Sequence, residues 1–119
     1  MEIGETLAVH SRAEWRRWLA KHHTQRTEIW LVYNKKTSGK GGITYDESVE
    51  EALCYGWIDG QNKTIDATSY AGRFTPRRPG GNWSASNRAR IEPLLAQRRM
   101  APAGLAVLPE ELKTLGARA

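Results

Sequence analysis

Trp57-Ile58-Asp59-Gly60-Gln61-Asn62-Lys63-Thr64-Ile65-Asp66-Ala67-Thr68-Ser69-Tyr70-Ala71-Gly72-Arg73-Phe74-Thr75 is the stretch whose reading decides the architecture. Trp57 to about Ile65 reads as one strand and Tyr70 to Thr75 as its antiparallel partner, joined across Asp66-Ala67-Thr68-Ser69. A hairpin here argues against a doubly wound parallel sheet. Side-chain alternation places Trp57, Asp59, Gln61 and Lys63 on one face. Gly60 and Gly72 sit inside the two strands, where an isolated glycine marks a bulge or the close approach of another group.

Downstream, Thr75-Pro76 ends the pairing and Arg77-Arg78-Pro79-Gly80-Gly81 is a loop. Ser84 is a good N-cap for a helix reaching about Arg98, with Ala85, Arg88, Ile91, Leu95 and Arg99 near one stripe and Leu94 beside it. Pro93 removes a backbone donor and should kink or split that helix. Ala101-Pro102-Ala103-Gly104 punctuates, and a short helix from Pro109 to Leu115 ends at Gly116.

Upstream, Gly56 is the expected left-handed stop of a helix spanning about Tyr45 to Tyr55. Thr44 and Glu47 form its capping box, and Asp46, Glu47, Glu50 and Glu51 suit the positive end of its dipole. Tyr45, Val49, Ala52, Leu53 and Cys54 make its buried face, with Cys54 a small core residue. Lys35-Lys36-Thr37-Ser38-Gly39-Lys40-Gly41-Gly42 is a basic loop without P-loop spacing, and reads better as the mobile rim of a site. Glu28 to Lys35 is a strand apolar on both faces, hence central or covered. A helix from about Arg12 to Lys21 opens on Ser11, with Glu14 reaching back, and lines up Trp15, Trp18, Leu19 and His22. Leu7-Ala8-Val9 is a short edge strand. Adjacent His22 and His23 diverge and have no third ligand at useful spacing, so no metal site is expected.

The fold class that follows is α+β: a small, mainly antiparallel sheet of three to four strands covered by three main helices. The chain of 119 residues reads as one domain, residues 1–119, with a core over about 7–105 and a weakly ordered tail over 106–119. At 39% apolar and 26% charged residues it has an ordinary globular composition, which argues against disorder. The single cysteine forms no internal disulfide. The acidic N-terminus has no apolar secretory core, and no apolar run approaches the ~18 residues of a membrane span. A cytoplasmic protein without a membrane span is therefore expected.

Charge is the strongest functional lead. Seven arginines against Glu92 give residues 73–99 a balance of +6, whereas the whole chain is +5, leaving −1 for the rest. Local basicity points to an anionic partner. Arg73, Arg77 and Arg78 can grip phosphate or carboxylate in a bidentate way. Ser84 and Asn87 open a helix whose free N–H groups favour an anion, although Ser84 also serves simply as N-cap. Trp57 and Trp83 either floor and stack on a ligand or pack in the core. Asp59 either pairs with Arg73 or Arg77 or orients a ligand, and is the one weak catalytic candidate. Gln61 and Thr75 complete the candidate surface. A lone carboxylate without histidine or a second acid makes no acid–base pair, so no catalytic constellation is recognised and no cofactor is expected. The expected function is a binding module for an anionic ligand, either a phosphate-bearing small molecule or nucleic acid. The alternatives are a small enzyme with a pocket around Trp57, Asp59, Arg73 and Trp83, or a protein-interaction domain.

The run from Tyr45 through Cys54-Tyr55-Gly56-Trp57-Ile58-Asp59-Gly60-Gln61 resembles the signature of the bacterial YdeI/OmpD-associated, or bacteriocin-protection, family. Arg73-Phe74-Thr75-Pro76-Arg77-Arg78-Pro79, Asn82-Trp83-Ser84-Ala85-Ser86-Asn87, Trp15-Arg16-Arg17-Trp18-Leu19 and Ile29-Trp30-Leu31-Val32 carry the same resemblance, over roughly Leu7 to Leu105. It implies a role in stress or bacteriocin resistance and supplies no catalytic residues. Relative to that family the chain is a short form, stopping at Ala119 where many members continue into a basic helical region.

Overall fold

A computed structural model describes residues 2–78 and 83–113. Pro79, Gly80, Gly81 and Asn82 of the expected basic loop, and the expected terminal helix from residue 114 on, lie outside the described residues. The elements run β1 (Thr6–Ala8), α1 (Arg12–His22), β2 (Ile29–Asn34), a 3-10 turn (Lys36–Ser38), α2 (Tyr45–Cys54), β3 (Trp57–Thr64), β4 (Ser69–Pro76), α3 (Ala85–Ala96) and α4 (Pro102–Ala106). This is an α+β fold.

The four strands form one sheet in the order β1-β2-β4-β3. β1 pairs parallel to β2 at one edge, and the other two pairings are antiparallel. The β3–β4 hairpin is closed by Asp66, whose Oδ1 accepts from the backbone N–H of Thr68 and Ser69, both at 2.9 Å. That short side chain supplies the turn's acceptor without any help from tertiary packing. Asp59 pairs with Phe74, but the next paired residue, Asn62, faces Gly72. Gly60 and Gln61 together oppose Arg73, which is a β-bulge. The bulge reverses the facing of everything after it. Lys63 pairs with Ala71 and so lies on the face opposite Trp57 and Asp59, which corrects the simple alternation expected for Gln61 and Lys63.

Ile29, Leu31 and Tyr33 share the inner sheet face with Phe74 and Trp57, and pack under Trp15 and Leu19 of α1 and Ala52 of α2. Each fully buried aromatic of this set stabilises the fold by roughly 1.5–3 kcal/mol through apolar burial. Val49, Leu53 and Cys54 on the other flank of α2 build a second core with Ile91, Leu94 and Leu95 of α3 and with Leu108 and Leu112. α2 is therefore clamped between the sheet with α1 on one side and α3 with α4 on the other. Cys54 is buried, and burial pushes its thiol up, away from the reactive thiolate.

Local signals explain most element ends. Ser11 accepts from Glu14 N at 3.3 Å, Thr44 and Glu47 form a complete capping box, and Ser84 accepts from Asn87 N at 3.1 Å. The first of these is only half a box, because Glu14 turns to His10, with Oε1 3.1 Å from Nδ1. Gly56 adopts φ +75 and ends α2 as expected. α3 runs past Pro93 without splitting, and the Pro102 segment forms α4 instead of an irregular break. Tyr45 is 39% exposed and is not on the buried face of α2; Ser48 and Glu51 are there instead. Both polar residues are satisfied. Ser48 Oγ donates to Tyr45 O at 2.6 Å, so it accepts from Tyr33 OH at 2.5 Å, while its carbonyl accepts from Trp15 Nε1 at 2.9 Å.

Candidate ligand-binding site

The residues expected to form a site are spread over the core, both sheet faces and the start of α3. Trp57 is a core residue, 1% exposed and edge-on to Trp18 with ring centroids 5.9 Å apart. Arg73 and Thr75 lie on the outer sheet face, away from Asp59. There the Nε of Arg73 donates to Glu28 Oε2 at 2.5 Å, and that bond holds the Glu28 carboxyl below its usual range. Gln61 is exposed at the bulge. Asp59 meets neither Arg73 nor a second acid; it accepts the hydroxyl proton of Tyr45. Arg77 is 7% exposed and stacks on Trp83, its guanidinium carbon 3.9 Å from the ring centroid. Arg78 is exposed. Ser84 acts as N-cap, and the Asn87 Oδ1 accepts from Arg90 Nη1 at 3.0 Å.

The basic segment is far less basic in space than along the chain. Of its seven arginines, four reach acids drawn from outside residues 73–99: Arg73 to Glu28, Arg88 to Glu111, Arg90 to Asp46 and Arg99 to Glu51. Glu51 is the largest feature the residue pattern did not disclose. Its side chain is wholly buried, yet Oε2 accepts from Arg12 and Arg99, both at 2.5 Å, and Oε1 from Arg16 at 3.0 Å. Burial alone would raise this carboxyl; the hydrogen bonds and charges of its arginines overturn that, and it is held low. Glu50 and Glu47 add further contacts to Arg12 at 2.7 and 3.9 Å. Three acids against three arginines make this a neutral structural clamp joining α1, α2 and the segment after α3. Arg12 and Arg16, one turn apart, were its only visible trace in the chain.

Concavity and unsatisfied charge coincide elsewhere. A cleft of about 580 Å³ opens where β2 ends, between the 35–44 loop and the start of α2. That volume lies within the usual range for small-molecule sites. Tyr33, Tyr45 and Tyr70 wall it, with Tyr33 and Tyr70 stacked at 5.0 Å and 20°. Lys35 and Lys36 line it, no acid does, and neither lysine makes an ion pair among the described residues. The loop is tethered at both ends. Lys35 N donates to Thr68 O at 2.8 Å, and Asn34 Nδ2 to Gly41 O at 3.0 Å. Burial, together with the bond to Asp59, pushes the Tyr45 phenol up to about 12, so it stays protonated at neutral pH. The rim-loop reading of residues 35–42 thus has a cavity beside it. The tyrosines were separate in sequence, and only the sheet register makes Tyr33 and Tyr70 neighbours.

Residues 7–107 match a domain family of unknown function, DUF8412. The chain belongs to that family. No curated protein and no solved structure matches this DUF8412 domain. Among its described residues, no helix is long and apolar enough to cross a membrane, and no group of three or more His, Cys, Asp or Glu is placed to hold a metal ion. The DUF8412 cleft sets two ammonium groups beside aromatic walls.

Proposed function

We propose that this DUF8412 domain is a binding module for a small phosphate-bearing ligand, held in the cleft at the end of β2. One observation carries the reading: two lysines that have no acidic partner among the described residues line a concave, tyrosine-walled space to which no described acid contributes. Unpaired ammonium groups gain from an anion what the paired arginines already gain within the fold. The anionic-ligand expectation is kept, but its site moves from the Arg/Trp surface to the 35–45 region. A role in stress or bacteriocin resistance rests on the family resemblance alone.

Isothermal titration of the full chain with a phosphomonoester tests this. Lys35→Ala with Lys36→Ala should weaken binding roughly tenfold or more, the scale of losing charge-assisted hydrogen bonds. Equal affinity in that double variant would reject the cleft.

Nucleic acid is the second reading, favoured by the stacking of Arg77 on Trp83 beside exposed Arg78. It requires single-stranded nucleic acid binding that Arg77→Ala with Arg78→Ala weakens, with a flatter salt dependence. Unchanged binding in that variant would exclude it.

A further inference from the structure

Which phosphate-bearing ligand fits is written in the direction of the hydrogen bonds around the cleft. Tyr45 has one hydroxyl proton, and it is donated to the Asp59 carboxylate. An ionised carboxylate only accepts, so this proton has no other place to go while Asp59 is charged. The Tyr45 oxygen is left as an acceptor. Asn34 adds a second acceptor: its amide Nδ2 gives one of its two hydrogens to Gly41 O at 3.0 Å, and its Oδ1 can accept from a ligand. Tyr33, whose hydroxyl donates to Ser48, is turned inward and offers the cleft its ring. The lining therefore holds two cations, Lys35 and Lys36, and one acceptor whose proton is committed elsewhere, Tyr45, with Asn34 able to accept beside it, around stacked aromatic rings.

A bare phosphate satisfies only the cations. A ligand that satisfies the set carries a phosphate, a planar ring to lie against tyrosine, and an N–H or O–H to give to the acceptors. We infer that the cleft selects nucleoside monophosphates, and that Tyr45, held as an acceptor by Asp59, is its specificity-determining residue. This rests on the phosphate-binding reading above. It adds to it that a ring-bearing phosphate without donors is bound less well. Asp59 is then a positioning residue: it touches Tyr45 and not the ligand.

The comparison to make is adenosine monophosphate against phenyl phosphate, which has the ring and the phosphate but no donor apart from the phosphate itself. Both are titrated calorimetrically into the full chain and into Tyr45→Phe. Tyr45 is 39% exposed on the first turn of α2, so the phenylalanine variant leaves the cores untouched. The wild type should prefer adenosine monophosphate by roughly three- to tenfold, the scale of one net hydrogen bond. Tyr45→Phe should lose most of that preference, its affinity for adenosine monophosphate falling by more than its affinity for phenyl phosphate. An undiminished preference in Tyr45→Phe, or no preference in the wild type, overturns the selection by Tyr45 while phosphate binding stands. Binding of neither compound overturns the phosphate-binding reading itself. Asp59→Ala supplies a second check: it releases the Tyr45 proton, and the preference should shrink there too. A preference unchanged by the loss of Asp59 would contradict its positioning role.

Discussion

Glu51 shows what a single residue does when it is buried with charge. Its three arginines reach it from α1 and from the chain beyond α3, so one carboxylate fastens three parts of the fold. Removing one member of a buried ion pair leaves the others desolvated and uncompensated, at roughly 3–5 kcal/mol. Glu51→Gln should therefore lower unfolding free energy in urea by about 3 kcal/mol or more. Arg26→Ala should change it by less than about 1 kcal/mol, because Arg26 and its partner Glu5 are 40% and 53% exposed. The pH dependence has a definite sign. Glu51 is held below the unfolded-state value of 4.5, so its contribution is complete above that pH and is lost as pH falls through the lower folded value. The wild-type urea midpoint should fall on acidification below about 4.5, and Glu51→Gln should flatten that fall. Beyond Arg12 and Arg16 standing one turn apart, little of this was legible from the chain. An acid in the first half of a helix reads as a partner of the helix dipole, and nothing in its spacing names arginines 35 and 48 residues away.

Elements were read more accurately than their faces. The hairpin and its turn follow from residues that act locally, such as Asp66, and the glycines announced the irregularity at Gly60 and the contact at Gly72. A bulge, however, shifts facing by one residue wherever it is placed, and its position depends on the partner strand. Alternation consequently set Lys63 beside Asp59, while pairing puts it opposite Ala71. Proline punctuation misled for a similar reason. Pro102 sits in the first turn of α4, where its missing N–H would have no intrahelical partner, and the 102–104 segment folds because it has α2 to pack on. That packing is tight. A Cβ on Gly104 would lie 2.3 Å from Cys54 O, a backbone atom that cannot swing aside. On Gly72 it would meet Tyr33 Cε2 at 2.9 Å and Asn62 Oδ1 at 3.0 Å, which belong to side chains. Thermal unfolding should rank the variants accordingly. Gly104→Ala should lose about 1–3 kcal/mol or more through overpacking, and Gly72→Ala less than that. The reverse order would mean that α4 is not seated on the end of α2.

At the scale of the whole molecule, charge along the chain and charge in space are different quantities. The segment 73–99 concentrates arginine, but folding delivers Glu28, Asp46, Glu51 and Glu111 to four of its members. Lys35 and Lys36 form a smaller cluster that no acid among the described residues reaches, and they border the cleft. Composition sees the larger cluster; only tertiary structure shows which cations are already neutralised. Three residues of the expected site are dispersed by the sheet pairing, Arg73 and Thr75 to the outer face and Trp57 to the core. Binding of a phosphomonoester at Lys35 and Lys36 should also weaken as salt rises, since both ammonium groups sit at an open rim. The most direct measurement is backbone amide shift mapping of the full chain on titration with adenosine monophosphate. The predicted result is movement concentrated over residues 34–45 and at Tyr70, abolished by Lys35→Ala with Lys36→Ala. Movement confined to Arg77, Arg78 and Trp83 to Asn87, or none at saturating ligand, would contradict it.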